Sequence, residues 1–129
     1  MKIHGWAYAK ERYRLKDYCE NRFGFGKTPS GKLIGAVYAV KFEVNGKFTL
    51  IKIGSTCMPF QRLYNFGPRG KLYCVSPFCT NYFEIEWQLH EHFSKYRVPG
   101  RTNASQPEYF NMSIPFFLSH LPELDFKKE

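Results

Sequence analysis

The stretch from Ala36 to Arg62 constrains this chain most: A-V-Y-A-V-K-F-E-V-N-G-K-F-T-L-I-K-I-G-S-T-C-M-P-F-Q-R. Two alternating apolar runs flank Asn45-Gly46, the strongest short-range signal for a β-hairpin. Gly54-Ser55-Thr56 then breaks the second strand, and Pro59 stands where a helix begins. The turn decides which side chains meet. A two-residue Asn45-Gly46 turn sets Glu43 against Phe48 and Lys41 against Leu50, which are poor partners. A three-residue loop, Val44-Asn45-Gly46, with Gly46 at a G1 bulge pairs Glu43 with Lys47, Phe42 with Phe48 and Val40 with Leu50. That register is the one expected, and it puts Tyr38 directly opposite Lys52, on the face that carries the two phenylalanines.

At 129 residues the chain suits one domain with a single core. Its composition, 43% hydrophobic, excludes a disordered polymer. The net charge of +8 points to an anionic partner, nucleic acid first and an acidic membrane surface second. The charge is uneven: residues 1–32 hold eight Lys/Arg against three Asp/Glu, and no acid occurs between Glu43 and Glu84. Lys47, Lys52, Arg62, Arg69 and Lys71 fall in that acid-free gap. Cys19, Cys57, Cys74 and Cys79 form no C-x-x-C and, with no signal peptide at the start, read as reduced thiols. A zinc site on Cys74, Cys79 and a histidine fits this spacing poorly. With no signal peptide the expected location is intracellular, in the cytoplasm, and no apolar run is long enough to span a membrane.

Residues 7–23 read as a helix ending at Gly24, with Tyr8, Leu15, Tyr18, Cys19 and Phe23 on one face. The helix either packs on the sheet or lies along a phosphate backbone with Arg12, Arg14 and Lys16. Gly26-Lys27-Thr28 echoes a P-loop, but Asn21 stands where the first glycine is required and a helix precedes it, so nucleotide hydrolysis is excluded. Lys27 remains a candidate phosphate contact in a flexible connector. Residues 59–66 make a short helix stopped by Gly67-Pro68, and the loop through Arg69 and Lys71 is a further candidate for backbone contacts. Leu72 to Ser76 reads as a third strand. Asn81 with Glu84 resembles a capping box for a helix to about Tyr96, with Tyr82, Ile85, Leu89, Phe93 and Tyr96 as its buried stripe. Glu86 and His90, four apart, stack beside that stripe, and His92 reads as structural. A polar loop, 98–107, precedes a short strand at Glu108-Tyr109-Phe110. Ser113 caps a helix from Ile114 to Leu121, and the charged tail after Pro122 is expected to be mobile.

Ala36-Val37-Tyr38, Lys52-Ile53-Gly54 and Arg62, ten positions beyond Lys52, resemble the GIY-YIG nuclease superfamily. The lysine before Ile-Gly replaces the superfamily's usual tyrosine and matches one branch, the phage-type T5orf172 (meiotically up-regulated gene 113) domains. Their pattern is similar to Lys52-Ile53-Gly54-Ser55-Thr56, Arg62-Leu63, Glu86-Trp87-Gln88-Leu89-His90 and Glu108-Tyr109-Phe110, in that order. The resemblance implies an α+β fold, with a small antiparallel three-stranded sheet flanked by helices. The resemblance covers about residues 36–110; with the rest read from its own residues, the chain divides into a basic N-terminal helix and connector (1–35), the nuclease-like domain (36–121) and a tail (122–129). The resemblance implies hydrolysis of phosphodiester bonds, DNA ahead of RNA, with a single Mg²⁺ or Mn²⁺ on Glu86, in a bacterial or phage-infected cell. Tyr38 would then be the base, Lys52 and Arg62 the cations, and His90 a group that orients Glu86, makes a second polar contact or caps the core. Asn103 or Glu108 would stand for the asparagine that follows the family's metal ligand. The other readings are a GIY-YIG-like module that grips nucleic acid without cutting it, and a phage protein that binds another protein through its aromatic surface.

Overall fold

A computed structural model describes residues 2–3, 5–9, 30–44, 48–57, 70–98 and 109–128. The two strands of the hairpin, β3 (Ala36–Val44) and β4 (Phe48–Thr56), lie at the centre of a sheet whose other strands are β1 (Lys2–Ile3), β2 (Trp6–Ala9), β5 (Gly70–Val75) and β6 (Tyr109–Phe110). The spatial order is β1-β2-β5-β3-β4-β6, and every pairing is antiparallel. Two helices, α1 (Tyr82–His92) and α2 (Ile114–Ser119), complete an α+β fold. The expected hairpin and third strand thus form its middle, and three further strands extend the sheet.

The hairpin register differs from the expected one by two residues. Tyr38 pairs with Gly54, Val40 with Lys52, Phe42 with Leu50 and Val44 with Phe48. A shift of two keeps every residue on its expected face. Tyr38 and Lys52 therefore do share a face, but on a diagonal rather than one rung. The expected register optimised pairs near the turn and wasted the far end, where Ser55 and Thr56 would be unpaired. The observed one uses all nine residues of both strands, out to Ala36 against Thr56. It also sets the large ring of Tyr38 against the one β4 residue with no side chain.

Val37, Ala39, Ile51 and Ile53 face one way and pack under Ile85, Leu89 and Phe93 of the α1 segment and Ile114 and Phe117 of α2. On the opposite face Tyr38, Val40 and Leu50 are buried as well. Burial on both faces explains why Ala36–Val40 is a continuous apolar run rather than a clean alternation. The expected stripe of α1 holds: Ile85, Leu89 and Phe93 are buried, with Tyr82 and Tyr96 half-buried beside them. The helix closes in a 3-10 turn, Ser94–Tyr96. Ser113 caps α2 as expected, its Oγ accepting from the Phe116 N–H at 3.1 Å.

Three expectations are corrected. The predicted helix from Ala7 begins instead as strand β2, because β5 offers it an edge and Trp6 anchors it edge-on against Phe117 and Phe126. Gly5, at φ 81°, turns the chain between β1 and β2, a conformation that favours glycine. The rest of that predicted helix, with Arg12 and Arg14, and the connector with Lys27 lie outside the described residues. Asn81 does not cap α1 with its side chain. It holds the C-terminal segment, donating to the Asp125 carbonyl at 2.8 Å and accepting from the Lys127 N–H at 2.9 Å. The tail is accordingly ordered: Leu121, Leu124 and Phe126 pack on the core, and Gln88 donates to the Glu123 carbonyl.

Candidate functional site

The site is built on three consecutive residues of β4: Ile53, Gly54 and Ser55. From the α1 side, Glu86 and His90 reach the first and third. The Ser55 hydroxyl donates to Glu86 Oε1 at 2.5 Å. His90 Nε2 lies 2.8 Å from the Ile53 carbonyl oxygen and 3.4 Å from Glu86 Oε2. A carbonyl oxygen only accepts, so Nε2 carries a proton and donates. His90 therefore braces the Glu86 carboxylate against β4. The histidine ring is itself held edge-on by Phe110 of β6, with centroids 5.3 Å apart. The Arg97 guanidinium donates to the His90 carbonyl at 3.3 Å. His90 is almost fully buried and Glu86 is 16% exposed, so the carboxylate keeps access to solvent.

From the opposite face, Tyr38 reaches the middle residue. A Cβ on Gly54 would stand 2.6 Å from Tyr38 Cζ and would collide with the phenol oxygen. The ring thus crosses from β3 and its tip ends on Gly54. Gly54 is a window: without a side chain it lets the phenol lie against the β4 backbone, between the two residues that Glu86 and His90 hold from the other side. Tyr38 itself is 2% exposed.

Lys52 is half-buried on the Tyr38 face. Its Nζ lies 5.9 Å from the centre of the Tyr109 ring, its partner across the β4–β6 pair. Of the other predicted site residues, Arg62, Arg69, Asn103 and Glu108 lie outside the described residues, as do Arg12, Arg14 and Lys27. Lys71 belongs to β5, but its side chain is not described. His92 is structural as expected, its Nε2 meeting the His120 carbonyl oxygen at 2.8 Å. Ser55 and Arg97 were missed. Ser55 stood in view inside Lys52–Thr56, and the hairpin register already placed it on the face opposite Tyr38. Arg97 carried no local signal.

Among the described residues no three His, Cys, Asp or Glu gather into a metal cage. Burial pushes the Cys74 thiol up strongly and the Cys79 thiol up to about 11, so both stay protonated rather than binding as thiolates. Cys57, Cys74 and Cys79 are free thiols, as expected. The donor set at Glu86 suits a hard cation that takes one carboxylate and completes its shell with water and phosphate oxygens. A carboxylate offers about four lone-pair sites, so such a cation fits beside the hydrogen bond from Ser55.

Residues 35–121 match the T5orf172 domain. The chain belongs to the T5orf172 domain family. That family is nuclease-related and associated with nucleic-acid binding, and its match spans every element from β3 to α2. Comparison with the curated proteins and with the solved structures finds no significant match. No described helix of this T5orf172 protein is long and apolar enough to cross a membrane.

Proposed function

We propose that this T5orf172 protein is a metal-dependent nuclease of the GIY-YIG type that hydrolyses phosphodiester bonds, with DNA as the favoured substrate. One observation carries the reading. Tyr38, Glu86 and His90 come from two elements and from both faces of the sheet, yet meet on Ile53, Gly54 and Ser55. Phosphodiester chemistry requires acid–base groups close to one reacting centre, and these three gather on three consecutive residues of one strand.

In this scheme Glu86 would hold Mg²⁺ or Mn²⁺, which when bound would offset the negative charge of the phosphate. Ser55 donates to Glu86 Oε1, and His90, its Nε2 proton given to the Ile53 carbonyl, stands 3.4 Å from Oε2; together they fix the direction of the carboxylate. Tyr38 acts as the base that receives the proton of the attacking water. A phenol ordinarily titrates near 10, so it needs neighbouring positive charge to act at neutral pH. Lys52, on the same face one diagonal step away, and Arg62 are the cations assigned to that work. Arg62 also grips the scissile phosphate, which its planar guanidinium matches.

A second reading has its own support. Tyr38 is 2% exposed, which suits a ring that packs the domain rather than one that meets water. The protein would then bind nucleic acid without cutting it.

Incubation with single- and double-stranded DNA and RNA, with Mg²⁺, with Mn²⁺ and with EDTA, separates the two. The nuclease predicts metal-dependent cleavage that falls at least about 100-fold in Glu86→Gln and in Tyr38→Phe. Salt-sensitive binding without cleavage, kept by both variants, establishes the binding module. Cleavage that survives in both variants overturns the site.

A further inference from the structure

We propose that Phe83 and Trp87 form a stacking platform for unpaired nucleobases of the strand whose phosphate lies at Glu86. The proposal rests on the nucleic-acid reading above and adds to it a strand preference. Phe83 is 63% exposed and Trp87 43% exposed, large aromatic surfaces left bare on a chain that buries most of its described core. Their position on α1 gives them a purpose. At about 100° per residue, Glu86, His90, Phe83 and Trp87 follow one another around the helix, with Phe83 within about 20° of His90. The aromatic strip therefore borders the Glu86–His90 flank directly.

The remaining flank of α1 is occupied. Gln88 donates to the Glu123 carbonyl, and His92 meets the His120 carbonyl oxygen, so the C-terminal segment covers that side. The protein covers one side of α1 with its own chain and leaves bare the side that continues from the site. Glu84 and Glu91 lie beyond Trp87, on the side away from Glu86. They repel a phosphate backbone there, so what the strip offers a polyanion is the π-faces of its rings.

The spacing favours opened strands. Phe83 and Trp87 are about 6 Å apart along the axis, nearly twice the rise of about 3.4 Å between stacked bases. Neighbouring bases reach both rings only when their own stack is broken, as in single strands, flaps or bulges. Base–aromatic stacking tolerates any sequence, because every base has a π-face.

Trp87 supplies its own probe, because the only other tryptophan, Trp6, is buried at 1% exposure. Oligonucleotides, single-stranded and duplex, are titrated in EDTA, with binding read by anisotropy of a labelled strand and stacking by quenching of tryptophan fluorescence. The expected result is quenching by single strands that Trp87→Phe abolishes. Phe83→Ala and Trp87→Ala each weaken single-strand binding about tenfold with the salt dependence unchanged, since no phosphate contact is lost. Binding without quenching, at wild-type affinity in both alanine variants, overturns the platform while leaving the nuclease reading to its own cleavage assay. Self-association that the alanine variants abolish, with nucleic-acid affinity intact, also overturns it and assigns the strip to a second copy of the chain.

Discussion

Gly54 is the residue on which the site turns, and its value lies in what it lacks. Tyr38 occupies the space a side chain would fill, with Cζ 2.6 Å from where a Cβ would stand. Gly54→Ala must push the ring away or spread the two strands. The expected cost is about 1–3 kcal/mol of stability, read by urea denaturation, with loss of activity beyond what that cost explains. The pattern Lys52-Ile53-Gly54 was plain in the sequence, but the reason for its glycine was not. Pairing rules applied near the turn put Tyr38 opposite Lys52, because they weigh local side-chain matches and cannot see that a buried ring needs an empty neighbour. Glu86 and His90 were legible as a pair four residues apart. That His90 donates to a backbone carbonyl was not, since it depends on how α1 is laid on β4.

At the scale of elements, α1 and β4 carry the site, and the C-terminal segment holds α1 in place. Asn81 at the head of α1 grips that segment through both ends of its amide, at Asp125 and Lys127. Thr80 N–H donates to the Lys127 carbonyl at 2.8 Å and strengthens the same clasp. Asn81→Ala should cost about 1–2 kcal/mol, two modest hydrogen bonds, and should speed proteolytic cleavage within residues 121–128. A variant cleaved no faster than the parent contradicts the clasp. Sequence signals read Asn81 as a helix cap because Asn at that offset from Glu84 usually is one. The charged tail read as loose because its two anchors, Leu124 and Phe126, are too few to set a helical or strand period. Strand β2 was hidden for a similar reason: Ala7, Tyr8 and Ala9 suit a helix locally, and only the edge of β5 makes them a strand.

For the molecule as a whole, the buried thiols set a limit on the alkaline side. Burial raises Cys79 from 9.0 to about 11 and moves Cys74 in the same direction. Tyr82 is raised too, first by burial and then by the Cys57 and Cys79 thiolates nearby. A group whose folded value is raised keeps its contribution below the unfolded value and loses it as the pH climbs toward the folded one. Stability should therefore hold up to about pH 9 and fall from there to about 11, measured by urea denaturation across that range. Cys79→Ala should make the decline shallower. Among the described residues, β4 is paired to β6 at Ile51 and Lys52. At the next residue the Ile53 carbonyl is taken by His90. An acceptor engaged by an imidazole offers less to any strand that would pair at Ile53, so the histidine that steadies the carboxylate also weakens the template for pairing at that rung.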